Sequence, residues 1–367
     1  MVSTPARRIQ GSALRGYWPA RNRLCLHDHP SQTLRHLALL ASAAGLPRAS
    51  LAAAPKRIGI LSEASAEASK NTLLWEPDFW ELMAQRGWSL GQNVVVERAL
   101  ANTKSDRLPQ LAEELVRKRV DVILCFGDQD AMVAAARATR TIPILVFEVF
   151  DPVEQGLVES FARPGRNVTG ICLTRGSDST VKRLQYLRAI APSAKRLCWL
   201  WGRDTSSYAR VDGSRYDVAA SLATAAQTLQ FETRIYRVTG ASDIDTALDD
   251  ATAWQAQALT TSGVPAFRAR REVAQFALRQ RLPSAFALGE FVAAGGLLSY
   301  GVPGSEVQSL TVRWIDYIDR VLHGANPAEM PVIGADRYEL QINMKTAEAL
   351  GLSIPQSILS RADGLVR

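Results

Sequence analysis

The chain has 367 residues, 47% of them hydrophobic and 22% charged, with a formal net charge of +7. This length can bury a large core and suits two domains, and the composition is that of an ordinary globular protein. Residues 1–54 hold seven arginines and a single acid, Asp28, while the remaining 36 basic and 35 acidic residues nearly cancel, so the body carries no basic patch of the kind that nucleic acid requires.

Residues 1–54 read as an export leader. An arginine-rich start precedes the apolar run 37–46, and small residues follow at Ala52, Ala53 and Ala54. Those are the three parts of a secretory signal, which predicts cleavage near Ala54 and a periplasmic location. The apolar run is shorter than the roughly 20 residues that span a bilayer. Cys25 has no small residues before it of the kind that lipidation needs. Cys125, Cys172 and Cys198 each lie in an apolar, strand-like run, and their odd number points to buried free thiols.

From residue 56 onward, strand-like runs alternate with helical patterns. The first half is predicted as strand 57–61, helix 75–86, strand 93–98, helix 107–119, strand 120–126, helix 130–139 and strand 142–147. Continuous Val/Ile/Leu runs mark strands buried on both faces, hence parallel sheets built from βαβ units. The stretch 151–170, DPVEQGLVESFARPGRNVTG, breaks this rhythm with Pro152, Gly156, Pro164, Gly165 and Gly170. A strand over 167–173 is predicted to lead into a second series: helices 179–191, 216–229, 244–253 and 267–280, with strands 196–201, 232–238, 257–261 and 284–287. Residues 283–301, PSAFALGEFVAAGGLLSYG, read as strand, loop, short helix, Gly-Gly stop and strand. In open α/β sheets ligands sit beyond the carboxyl ends of strands. Glu290, Ser299 and Tyr300 are therefore placed where a ligand would be read. An amphipathic helix over 307–323, a strand over 336–344 and a helix over 346–351 complete the chain.

The expected architecture is α/β, with two Rossmann-like lobes and a cleft between them. Residues 55–168 form lobe one with a return segment near 300–336, and residues 169–298 form lobe two with the C-terminal segment 340–367. The four histidines are His27, His29, His36 and His323, so the body offers no Ser-His-Asp set and no histidine-rich metal site. Nucleotide phosphate loops and nucleophile elbows are also missing from the sequence. The expectation is a protein that is not an enzyme and uses no metal or organic cofactor. A hydrolase working through Asp128, Asp130, Glu148 and Asp151 is the enzymatic alternative. A DNA-binding repressor would need a helix-turn-helix before the first strand, where Pro5, Pro19, Pro30 and Pro47 stand.

Four segments resemble the substrate-binding proteins of ABC transporters, in the tryptophan/tyrosine-binding-like subgroup. They are 120–136 (VDVILCFGDQDAMVAAA), 151–171 (DPVEQGLVESFARPGRNVTGI), 282–301 and 338–362 (YELQINMKTAEALGLSIPQSILSRA). The resemblance implies a type 1 periplasmic-binding fold with three crossovers, near 167–173, 297–303 and 337–344. It also implies hinge closure on a small-molecule solute, delivery to an ABC permease in the membrane, a monomeric state and no chemistry on the ligand. A sensor that signals to a membrane partner is the alternative within the same fold.

On that fold the cleft would be lined from lobe one by Ser62, Glu63, Gly127, Asp128, Gln129, Glu148, Phe150 and Asp151. Lobe two would add Trp201, Tyr208, Ser262, Phe267, Gly289 and Glu290, and the crossover Ser299 and Tyr300. A polar shell with aromatic walls suits a small amphipathic solute such as an amino acid. A helix starting near Asp130 would offer free N–H groups to a carboxylate, and the acidic groups would take an ammonium. Three cleft loops, at 127–130, 202–205 and 260–267, depart from the sequences usual in the family.

Overall fold

The computed structural model describes residues 54–65, 77–148, 150–173, 178–202 and 207–367. Residues 1–53 of the expected leader lie outside them. The first half runs β1 (Lys56–Ser62), α1 (Pro77–Gln85), β2 (Val94–Leu100), α2 (Leu108–Arg117), β3 (Val122–Phe126), α3 (Gln129–Ala138), β4 (Ile144–Phe147) and β5 (Val168–Cys172). The second series begins with α4 (Asp178–Ile190), β6 (Arg196–Gly202), β7 (Ser207–Ala209), β8 (Arg215–Asp217), α5 (Val218–Thr228) and β9 (Glu232–Val238). It continues with α6 (Ala241–Ala253), β10 (Ala258–Ser262), α7 (Val264–Arg268), α8 (Arg270–Arg279), β11 (Ser284–Phe286), α9 (Gly289–Ala293) and β12 (Leu298–Gly301). The chain then passes through α10 (Gly304–Leu322), β13 (Ile333–Gly334), β14 (Glu339–Asn343), α11 (Met344–Leu350), α12 (Gln356–Leu359) and β15 (Gly364–Val366).

The strands form two main sheets, ordered β13-β5-β4-β3-β1-β2 and β15-β14-β12-β11-β10-β6-β9. In each, the order reverses beside the first strand of its series (β1 and β6), as in a doubly wound sheet. The chain crosses between the sheets three times, after β5, after β12 and after β13. Both sheets carry helices on both faces. On the first, α2 and α3 pack one face around Leu111, Leu115, Met132 and Ile123. The opposite face is covered by α1 and α10 around Phe79, Met83 and Trp314. The amphipathic stripe read from sequence in α10 is the buried one: Leu310, Trp314, Ile315, Ile318 and Leu322 all point inward. Each such side chain taken from water contributes about 1.5–3 kcal/mol.

The structure differs from expectation at several edges. β5 pairs in parallel with β4, Ile144 opposite Val168 and Val146 opposite Gly170, so it belongs to the first sheet. The expected lobe boundary at 168 therefore moves to the C-terminal side of Cys172. The predicted single helix 267–280 is split at Ala269 into α7 and α8. β14 runs antiparallel to β12, which makes the second sheet mixed rather than purely parallel. Four small features went unpredicted: the β7–β8 hairpin, the two-residue β13, the short α12 and the terminal β15.

Candidate ligand-binding cleft

The carboxyl ends of β1, β3 and β4 converge, because parallel strands deliver their ends to one edge of the sheet. There Asp128 caps α3 by accepting from the backbone N–H of Ala131 at 3.0 Å, and its other carboxylate oxygen accepts from the Glu63 N–H. Glu63 Oε1 accepts from Ser105 Oγ at 2.7 Å, and Ser62 Oγ accepts from the Ala64 N–H at 3.1 Å. Gln129 is buried: its amide donates to Glu148 O (2.9 Å), and its carbonyl accepts from Phe150 N–H (3.0 Å) and from Gln155 Nε2 (2.9 Å). Asp151 Oδ1 accepts from the Glu154 N–H at 3.1 Å and shapes the following turn.

Glu148 is unlike its neighbours. It ends β4 with a left-handed backbone, φ 60°, a conformation costing on the order of 1–3 kcal/mol for a non-glycine residue and concentrated at functional sites. Its carboxylate faces Gly127, where a Cβ would lie 3.2 Å from Oε2. Gly127 has φ 66° and is the residue that leaves this room. Among the described residues no hydrogen bond or ion pair reaches the Glu148 carboxylate, and burial raises its pKa to about 7. Burial also raises Asp128, to about 6, against the lowering effect of the two N–H groups it accepts from.

From the second sheet, Ser262 Oγ accepts from Trp199 Nε1 at 3.1 Å. Glu290 lies in the first turn of α9, half-buried. Gly289 packs so closely on Gln341 that a Cβ would meet Oε1 at 2.7 Å. Ser299 is buried and pairs with Gln341 across β12 and β14. The Tyr300 ring stacks on Tyr338 at 5.8 Å and meets Tyr186 edge-on at 5.4 Å. Tyr338 Oη donates to Leu173 O at 3.0 Å. Residues from all three crossovers thus touch one another.

Two expected wall residues are core residues instead. Trp201 is 2% exposed and lies in the second lobe's core beside Trp199. Phe267 is 4% exposed and packs edge-on against Phe291. The reason is shared: a strand or helix buried on both faces turns its aromatics inward on either side. The expected offer of free α3 N–H groups to a ligand carboxylate is narrowed by one, since the Ala131 N–H is taken by Asp128. The helix starts at Gln129, and Asp128 already occupies its end.

Tyr208 does reach the opposite lobe, packing against Phe150 at 5.3 Å between ring centres. It does so from the β7–β8 hairpin, which joins the two lobes. Tyr208 and Tyr216 pack with the second lobe's core, and Ala209 and Val211 with the first lobe's. Asp130 of α3 accepts from Ala209 N–H at 2.9 Å and pairs with Arg215 at 3.3 Å. Val211 N–H donates to Gln155 O at 2.9 Å, Arg137 Nε donates to Val211 O at 3.2 Å, and Arg210 pairs with Glu154. Asp130→Ala is expected to free one N–H and one arginine, shifting the balance toward separated lobes by about tenfold, the worth of one charge-assisted hydrogen bond. Small-angle scattering of the variant should show a larger radius of gyration, and a wild-type profile would contradict the bridge.

Sequence reasoning missed Arg183. It lies on α4 next to Lys182 and reads as part of a solvated face, yet it is 3% exposed. Burial lowers its pKa to about 10, which leaves it charged at neutral pH. The three body thiols are buried, and that of Cys172 donates to Phe150 O at 3.5 Å. Burial raises Cys198 to about 12 and Cys125 well above its ordinary value, which leaves both inert as nucleophiles.

Two doubly wound lobes joined by three crossovers, with strand ends facing across a cleft, define a two-lobed solute-binding fold of the type 1 periplasmic kind. Residues 79–366 match the sequence profile of the family described as ABC transporter substrate binding protein, and the chain belongs to that family. A tyrosine-binding protein of Clostridioides difficile strain R20291 is 25% identical over 281 residues, 75% of either chain. A Streptococcus pneumonia ABC domain solved in complex with L-Trp is 21% identical, with a TM-score of 0.61 over 85% of this chain and 100% of its own. A conserved domain protein from Vibrio cholerae O1 biovar eltor gives the same score at 22% identity, covering 85% and 99%. A ligand-free, open substrate binding protein of Clostridium difficile, also 22% identical, has a TM-score of 0.53 over 85% and 99%.

Proposed function

We propose that the chain is an exported solute-binding protein that takes a small amphipathic solute, an amino acid or a close analogue, between its lobes and passes it to an ABC permease unchanged. The observation that carries this reading is the family match, which runs through both lobes and all three crossovers. The tyrosine-binding relative and the tryptophan-bound structure favour an amino acid with an aromatic side chain. The cleft chemistry agrees. Glu148 supplies an unpaired carboxylate for an ammonium, and Phe150 and Tyr208 supply an aromatic wall from either lobe. On this reading Ser62, Glu63, Asp151, Ser262, Glu290, Ser299 and Tyr300, at strand ends and crossovers, would complete the lining. Asp128 and Gln129 serve this site by fixing its loops, since their polar atoms are already engaged. Export to the periplasm and a monomeric state belong to the same proposal.

The test is thermal denaturation of the full chain against amino acids, peptides, purines, sugars and organic acids. A ligand present at about 100 times its Kd adds about 2.7 kcal/mol of stability. Aromatic amino acids are expected to raise the melting temperature most. A response confined to sugars or purines would sink the amino-acid reading, and turnover of any bound compound would sink the statement that the protein does no chemistry.

A further inference from the structure

Arg183 is a buried cation on α4. No carboxylate among the described residues pairs with it. Its Nη1 donates to Tyr300 O at 3.5 Å and its Nη2 to Thr180 Oγ1 at 3.2 Å, while Nε has no partner. A guanidinium carries five N–H donors in a fixed fork, so most of this one's capacity is unused. Burying a charge without a partner costs several kcal/mol, which a fold retains only where something else recovers it.

The place is as informative as the charge. α4 starts immediately past the first crossover, and Thr180, Arg183 and Tyr186 follow one another on one face at i, i+3 spacing. That face meets Tyr300 at the second crossover, whose ring stacks on Tyr338 at the third. Arg183 therefore lies in the interior beside the crossovers that join the two sheets, and not on the outer surface. The α3 N-terminus already carries the Asp128 carboxylate, whose negative charge opposes its receiving an anionic group. Arg183 is the cation left to do so.

We infer that Arg183 is the anchor for the solute's carboxylate, gripping it through the unpaired edge of its guanidinium at the junction of the three crossovers. This rests on the solute-binding reading above and adds the group recognised and the residue that recognises it. Planar two-point pairing with a carboxylate is what guanidinium geometry favours over an ammonium's point charge. Neutralising the cation at the crossover junction also couples ligand arrival to the segment on which the lobes pivot.

The experiment uses acid and amine pairs that differ only in the carboxylate: L-tyrosine with tyramine, and L-tryptophan with tryptamine. Titration calorimetry and melting curves are run on the full chain, on Arg183→Gln and on Arg183→Lys. Wild type is expected to prefer the acid of a pair. Arg183→Gln should weaken the acid on the order of 100-fold, the usual consequence of stripping one partner from a buried charged pair, and leave the amine unchanged. Arg183→Lys should fall between, since it keeps the charge and loses the fork. Ligand-free Arg183→Gln should melt at or above the wild-type temperature, because an uncompensated charge has gone. A merely structural arginine would instead lower that temperature and leave the acid–amine preference intact. If wild type prefers an acid and both variants keep that preference, the anchor is overturned and the solute-binding reading stands. If wild type responds to no member of any pair, the anchor and the aromatic amino-acid reading fall together.

Discussion

Replacing Gly170 by alanine is expected to leave little folded protein. Gly170 lies in β5 with φ 146°, a conformation that side chains rarely adopt. A Cβ there would stand 1.9 Å from the carbonyl oxygen of Val146 and 2.8 Å from both its carbonyl carbon and its nitrogen. Those are backbone atoms of the neighbouring strand, so no side chain can swing aside. Relief requires parting β4 from β5, which sit inside the first sheet and precede the first crossover. A loss of 4–5 kcal/mol, about as large as single substitutions produce, would consume much of a domain's total of about 5–15 kcal/mol. Soluble yield and the urea midpoint measure it, and a wild-type midpoint would show that the strands can separate at little cost.

Glu148→Gln is expected to act in the opposite direction, by an amount that grows as pH rises from about 4.5 to about 7. The folded carboxyl titrates near 7, raised by burial from its ordinary 4.5. Between those values the folded protein holds a proton that the unfolded chain has released, so stability falls as pH rises through that window and levels off above it. Glutamine is neutral throughout. The variant should therefore stay within about 1 kcal/mol of wild type at pH 5 and exceed it at pH 8 by about 3 kcal/mol, since one pKa unit corresponds to about 1.36 kcal/mol. Melting curves at the two pH values decide the matter; an equal difference at both would rule out titration of Glu148 as the cause. If the proposed function holds, the same variant should bind an ammonium-bearing solute more weakly, because the charge that burdens the empty fold would be the one that meets the ligand. Stability and capture are set against each other at one residue.

Much of this fold is legible in the sequence because its strands are buried on both faces. Runs such as VILCF and ILVF leave no polar alternation, and their ends fall within a few residues of the observed ones. Crossing positions are legible for a related reason: polar residues, proline and glycine collect where strands end. The β7–β8 hairpin is not legible, since SYA and RYD are short, partly polar segments with no apolar period of their own. They are held by Asp130, Arg137 and Gln155 from the other lobe, contacts far away in sequence. Trp201 misled because an aromatic at a strand end looks the same whether it faces a cleft or a core. Arg183 was hidden for the converse reason. Lys182-Arg183 on a helix spells solvent, and only the packing of Tyr300 against α4 makes one of the two an interior residue. The strand-end rule thus leads to the loops that follow β1, β3 and β4, while the loop-fixing hydrogen bonds of Asp128 and Gln129 join residues too far apart in sequence to be read from it.

The buried thiols give each lobe its own clock. Cys125 and Cys172 sit in the first sheet and Cys198 in the second, all wholly enclosed. An alkylating reagent reaches them only when their own sheet comes apart, so the order in which the tagged peptides accumulate reads out which half of the molecule yields first. Hinge motion leaves both sheets intact and should tag none of the three. Opening for a ligand and opening toward denaturation, which scattering or melting alone would blur together, are thereby separable by mass spectrometry on the unaltered chain.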